Sequence, residues 1–430
     1  LNPFTSLRRH LAPKQINIYF SIICFFSPPV LGSVVSFVFN GGGLWSVFLL
    51  AFGRRRFNID GPMLAMTVAI YAYCVAMVLA SIVNGALGAD LKYFLALITL
   101  LFFPFSYSTW SITDKLTLAR IAVLASAAAC CGALAIAVVQ YHWVGMRAEG
   151  GAGNAIVFAT VTCLAAMMCL AGALSGIVKG WKALAGAALA GVAAILLSGS
   201  RIIWVALPIA AIAVLLINRR RFAGANLTRL ALIAGAACLL VAAIGFPVIM
   251  ERADFLFSDL DALTTKGDHS TAIGLRVAMW EIGVGAFREM PIFGHGISAS
   301  RALMKQGFHD QFGMTAGYNH YHDGFLTAAV QAGLLGALAL AAIFVVAARN
   351  AARALRLSAE PVERFGATMI IVTVITYLIG GLTGILVGQD LLDSTLMVFL
   401  VSGTYLACGR TVPPIVEGAG AMAPNTSHHS

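Results

Sequence analysis

The residues able to do chemistry gather in one polar stretch, 251–322, and at one junction upstream of it. Arg276 and Trp280 are four residues apart in a segment, 268–287, with helical spacing of apolar positions, so they share a face. Pro291-Ile292-Phe293-Gly294-His295-Gly296 then breaks that helix. Its two glycines permit a tight turn and a close backbone approach. Asn319-His320-Tyr321-His322-Asp323 closes the stretch, just before a long apolar run. Upstream, Gly199-Ser200-Arg201 joins two apolar runs so tightly that Arg201 must lie at a membrane–water boundary. Arginine offers a permanently charged, bidentate fork, so Arg201 and Arg276 together suit a diphosphate. A neutral histidine at the mouth of a membrane pocket suits general-base work near pH 7.

Each candidate has a plainer alternative. Arg201 as a snorkelling residue would need no ligand. Arg276 could be a solvated surface charge. So could Arg288, twelve residues on, and for it that reading is the better one. His295 could serve the turn alone, and His320 and His322 could be interfacial residues without a chemical task. His-x-His-Asp over 320–323 invites a metal reading, yet there is no Cys cluster and no HExxH. No metal or cofactor is expected. The glycine turn lacks the lysine and Ser/Thr of a phosphate-binding P-loop. Arg201 and Arg276 lie in separate elements, so their meeting is an inference.

The elements that must position these residues are membrane helices. Of 430 residues, 60% are apolar and 11% charged, and the mean hydropathy is +0.89. So few charges could not cover a soluble core of this size. The apolar residues come in runs of about 18 to 24, separated by short charged clusters, which is the bilayer-spanning pattern. The expectation is an all-α polytopic protein with about 12 transmembrane helices. About nine spans fall within 1–250, followed by a large, partly helical outer loop over 251–322. Further spans occupy 323–408, and a disordered tail runs over 409–430. The first two runs, 17–32 and 34–52, are short; one span plus a re-entrant piece is the alternative. No cleavable signal peptide is evident.

Charge placement orients the chain. Arg8, Arg9, Lys14, Arg54-Arg55-Arg56, Lys115, Lys179, Lys182, Arg219-Arg220-Arg221, Arg349, Arg353, Arg356, Arg364 and Arg410 all fall on one side of this topology. By the positive-inside rule that side is cytoplasmic, with both termini, and 251–322 faces outward. The net charge of +10 therefore marks orientation rather than a nucleic-acid surface. The eight cysteines all sit in apolar runs and read as small buried hydrophobes. The small-residue segments 184–194 and 231–237 read as sites of close helix packing.

The order of these motifs resembles the O-antigen ligase and polymerase superfamily. The resemblance rests on Arg276-xxx-Trp280, Pro291-xx-Gly294-x-Gly296, and His322-Asp323-xx-Leu326 followed by Gln331, Gly333 and Gly336. Ser200-Arg201 matches a Ser-Arg pair at an outer helix end. Asp323 stands where the family usually has Asn, and Gln331 where Glu is frequent. The resemblance implies a GT-C-like, inverting, metal-independent membrane glycosyltransferase of the bacterial inner membrane, with its site facing the periplasm. Its donor would be a glycan on polyprenyl diphosphate. Its acceptor would be lipid A-core for a ligase, or a lipid-linked repeat unit for a polymerase. His322 begins the family offsets and would be the base, with Arg201 and Arg276 holding the diphosphate. Trp280, Arg288, His295, His320 and Asp323 are secondary candidates. The competing class is a transporter, which would show an inverted repeat; none is seen, and the asymmetric outer stretch argues against it.

Overall fold

The computed structural model describes residues 13–219, 227–315 and 317–413, with the backbone alone for 227–245. Arg8, Arg9, Arg220, Arg221, the side chains of 231–237 and Cys238, and the tail from 414 lie outside the described residues. Every regular element described is helical. In chain order these are α1 (Pro13–Leu31), α2 (Val34–Ala51), α3 (Gly61–Val83) and the short α4 (Leu87–Asp90), which continues as a 3-10 turn. Then come α5 (Leu95–Leu101), α6 (Phe103–Trp110), α7 (Lys115–Val138), α8 (Ala155–Ser175), α9 (Trp181–Ser198) and α10 (Arg201–Ile217). The chain ends with α11 (Leu227–Lys266), α12 (Ala272–Glu289), α13 (Ile297–Phe312), α14 (Gly324–Leu357), α15 (Pro361–Gly381) and α16 (Asp390–Cys408).

Among the described residues, eight of these helices are long and apolar enough to cross a membrane. A ninth crossing results if the pieces from Leu87 to Trp110 form one span, bent by 61°. The protein is thus an all-α polytopic membrane protein. The bend falls between Tyr93 and Leu95, so a crossing here is broken rather than straight. At 17 residues, α10 is shorter than the others but equally apolar. The two short N-terminal runs form two separate helices, with Gly32 at φ +60° between them.

At the centre stand α8 and α16, with 89% and 94% of their most apolar stretches buried. Small residues set the helix spacing around them. A Cβ on Gly191 of α9 would lie 2.9 Å from both Ala166 Cβ and Cys130 Sγ, so only glycine allows that approach. Of the described cysteines, Cys131 is exposed on the bundle's side, unlike the buried cysteines expected; being apolar, it needs no partner there.

The turns sort into two ends. At one end Lys115 pairs with Glu363 at 3.1 Å, Arg364 Nη2 donates to the Ile217 carbonyl, and Asn58 Nδ2 donates to the Arg410 carbonyl. The basic turns meet here. At the other end the turns at 144–154 and 199–200, the far part of α11, α12, α13 and the loop 382–389 converge. No break separates 250 from 251: α11 runs unbroken from Leu227 to Lys266, 40 residues in all. The polar stretch therefore begins as a continuation of a helix, which carries Arg252 and Asp259 to a fixed place.

Candidate active site

Four arginines converge at this second end. Arg147, Arg201, Arg252 and Arg276 line one cavity of about 470 Å³, with Asp259 as its single carboxylate. Each comes from a different element. Arg201 opens α10, and its Nη1 donates to the Arg252 carbonyl at 3.0 Å. Arg147 sits in the turn after α7 and donates from Nε to the Ser198 carbonyl at 2.9 Å. Both guanidiniums are thus aimed by one bond each and keep further N–H groups free. Gly199 makes this possible: it adopts φ +62°, and a Cβ there would lie 2.8 Å from Arg252 Nε.

The cavity is electrostatically unbalanced. Burial pulls the Arg276 guanidinium below its ordinary range, and the Arg201 charge pushes it further. Arg147 is depressed by burial and then by Arg252. Like charges held together in a half-buried pocket repel unless an anion enters. The helix end adds to this. Ser200 is the N-cap of α10 but makes no side-chain cap bond, and its buried Oγ has no partner among the described residues. The Ile203 N–H already donates to the Ser200 carbonyl, but the Arg201 and Ile202 N–H groups at the start of this 17-residue helix have no side-chain cap and belong to residues that line the cavity, an arrangement suited to an anion.

His322 stands beside this cavity. Its Nδ1 lies 3.3 Å from the carbonyl oxygen of Thr383, a lining residue. A carbonyl only accepts, so Nδ1 carries the proton and Nε2 keeps its lone pair. Burial pulls the imidazole below the ordinary histidine value, and the Arg276 charge adds to the shift. His322 is also the one described non-glycine residue with positive φ, at +48°. Such backbone persists where its surroundings hold it and is a known feature of active sites. Here the hold is visible: His320 Nδ1 accepts the His322 N–H at 3.1 Å, and the two rings lie 4.3 Å apart. Tyr321 between them is fully buried and donates its hydroxyl to the Ser300 carbonyl.

The glycine motifs explain each other once folded. Helix α14 is interrupted at Ala332 and Gly333, which leave helical geometry. The freed Val330 and Gln331 carbonyls accept the His295 and Gly296 N–H groups at 2.9 Å each, and Leu334 N–H donates to Pro291 O. Gly294 and Gly333 touch backbone to backbone: a Cβ on Gly333 would lie 2.1 Å from Ile292 O. The Pro291–Gly296 turn therefore stitches α12 to the break in α14. This holds Arg276 at a set distance from His322.

The secondary candidates take structural places. His295 Nε2 donates to the Ala286 carbonyl at 2.8 Å, closing the end of α12. Asp323 caps α14 by accepting the Leu326 N–H at 2.8 Å. Asp and Asn cap equally well, so the Asp at this position leaves the local structure intact. Trp280 does not line the cavity, and its indole N–H is buried without an acceptor among the described residues. Arg288 is exposed and away from the cavity. Sequence reading did not reach Arg252, Thr383 or a role for Arg147. The only signal Arg147 offers in the sequence is that it is one of few basic residues in the connections away from the basic clusters. Among the described residues, no group of three or more His, Cys, Asp or Glu side chains is clustered for a metal ion.

A polytopic helical membrane protein with an arginine-lined cavity beside a half-buried histidine is the class this fold and site define. Residues 186–341 match the O-antigen ligase family, and that stretch of the chain carries the family's domain. It contains Arg201, Arg252, Arg276 and His322, while Arg147 and Thr383 fall outside it. Over 153 residues the chain is also 31% identical to an uncharacterized protein of Haemophilus influenzae. That match covers 35% of this chain and 38% of the relative.

Proposed function

We propose that this protein is an O-antigen ligase-like glycosyltransferase that moves a glycan from polyprenyl diphosphate to lipid A-core. The observation that carries the reading is the meeting of four arginines and an uncapped helix N-terminus in one cavity, within reach of His322. The acceptor hydroxyl oxygen attacks the anomeric carbon of the donor. The bond from that carbon to the diphosphate oxygen breaks, and its electron pair leaves with the diphosphate. His322 Nε2 takes the hydroxyl proton. Arg201 and Arg276, with Arg147 and Arg252, hold the departing charge by charge-assisted hydrogen bonds. Such a leaving group needs no metal to stabilise it when several guanidiniums do so.

The site faces outward from the inner membrane in this reading, because the basic turns gather at the opposite end. Cysteines placed at Lys266 or His309, both exposed, should react with a membrane-impermeant thiol reagent added to spheroplasts. A cysteine at Lys179, also exposed, should react only after lysis. Labelling of position 179 in intact spheroplasts would reverse the orientation.

The acceptor is tested directly. Purified protein receives polyprenyl-diphosphate-linked glycan and either lipid A-core or further lipid-linked repeat units, with and without a chelator. The expected outcome is glycan-capped lipid A-core, formed equally with chelator present. Lengthening of the lipid-linked chain alone would instead make the protein a polymerase. No product with either acceptor, or strict dependence on a divalent ion, would defeat the reading.

A further inference from the structure

A second group of cations lies on the other flank of the base. Asp90, fully buried at the end of α4, accepts the Ile297 and Ser298 N–H groups at 3.1 and 2.7 Å and the Ser81 hydroxyl. A carboxylate from one element thus caps α13 in another, which leaves room only for glycine at 296, where a Cβ would lie 2.8 Å from Asp90 Oδ2. The cap sets α13 against the 3-10 turn Leu91–Tyr93. One turn further along α13, the Arg301 guanidinium comes to rest over the Tyr93 ring, 4.1 Å from its centroid. Lys92 Nζ lies 5.0 Å from the same ring. The Ser300 carbonyl meanwhile holds Tyr321, so Arg301 is fixed next to 320–322.

We propose that Lys92, Tyr93 and Arg301 form an acceptor subsite for a phosphate group on the glycolipid that receives the transferred glycan. The inference rests on the transferase reading above. Displacement with inversion requires the incoming hydroxyl to approach opposite the leaving diphosphate, so the acceptor cannot share the arginine cavity. None of Lys92, Tyr93, Arg301 or His320 lines that cavity. The Arg276 charge acts on His322, the His322 and His320 rings lie 4.3 Å apart with their planes tilted by 50°, and the Arg301 charge acts on His320. The base thus stands between two cationic groups.

Neither Lys92 nor Arg301 has a carboxylate partner among the described residues, and Arg301 Nε is buried without an acceptor. A buried donor left unpaired is unfavourable, and an entering phosphate would satisfy it. Stacking on Tyr93 fixes the guanidinium plane and leaves its N–H edge free for a bidentate contact. His320 is pulled down to about 4, first by burial, then by His322 and Arg301. It stays neutral, and with Nδ1 accepting from the His322 N–H its Nε2–H is a donor for a sugar hydroxyl. Lys92 and Tyr93 fall outside the matched stretch 186–341.

The test uses the full-length protein in nanodiscs, with saturating donor and three acceptors. These are lipid A-core, the same after phosphatase treatment, and a lipid-linked repeat unit. Arg301→Ala should raise the KM for phosphorylated lipid A-core about 10-fold, the worth of one charged hydrogen bond. It should move the KM for the dephosphorylated acceptor and for the donor less than about twofold. Lys92→Ala, on an exposed residue that cannot threaten folding, should show the same pattern more weakly. A KM rise confined to the lipid-linked acceptor would keep the subsite but make the diphosphate its phosphate source. Equal KM values for wild type and both variants on every acceptor would overturn the proposal. Absence of transfer by the wild type would overturn the transferase reading instead.

Discussion

Arg276→Ala is expected to lower kcat for glycan transfer about 10²- to 10³-fold, as removal of a charge-stabilising donor typically does. Arg276 makes no hydrogen bond or ion pair among the described residues, so its fork is free for a ligand. It is also the arginine whose charge reaches His322. In the proposed mechanism, removing it loses leaving-group stabilisation on the side of the cavity next to His322. Arg276→Lys should recover little, because a point charge cannot make the two parallel bonds of a guanidinium. Arg201→Ala should fall in the same range. Arg201 further ties α10 to α11 through the Arg252 carbonyl, so that variant needs a check of membrane insertion and thermal stability beside the assay. Arg288→Ala is the control: exposed and away from the cavity, it should keep wild-type turnover. Near-normal turnover by purified Arg276→Ala would remove this arginine from the mechanism.

His322→Ala should lose about 10²- to 10⁴-fold in kcat, the usual worth of a general base. His320→Ala should lose less than about tenfold, since His320 holds the turn rather than takes the proton. The two differ in their neighbours. His322 faces the cavity through Thr383 and feels Arg276, whereas His320 is set further away, toward Arg301. The pH profile separates them as well. A base works deprotonated, and burial with a nearby cation holds the His322 pKa below the ordinary value of about 6.5. Activity should therefore be flat at neutral pH and fall only on acidification below about 6.5. An acidic limb centred above pH 7, or full activity in His322→Ala, would rule out His322 as the base.

Much of the fold follows from local pattern. Apolar runs of bilayer length, tight polar junctions and the one-sided basic clusters are written along the chain, and each acts within one helix or at its ends. The start of α10 at Arg201, the helix carrying Arg276, and the start of α14 after Asp323 were legible for that reason. The glycine turn at 294–296 was legible too, because a helix followed by Pro and two glycines has no other local solution.

What the sequence did not disclose depends on pairing between distant elements. Arg252 looks like one of several charges at the edge of a polar stretch. Only the unbroken helix to Lys266 carries it over Gly199 and beside Arg201. Arg147 joins them from a turn more than fifty residues before Arg201. Thr383 contributes a backbone carbonyl, which any residue type could supply. Asp90 caps a helix some two hundred residues away, so no local capping pattern reveals it. The sequence by itself determined an all-α membrane protein, the helix ends at or beside which Arg201, Arg276 and His322 lie, and the residue types that suit a diphosphate. Tertiary structure decided that four arginines rather than two meet in one cavity and that Nε2 of His322 is the free nitrogen. It also decided that a second cationic group flanks the histidine pair. Helix ends are set by neighbours in the chain, but a cavity is set by which ends the packed bundle brings together.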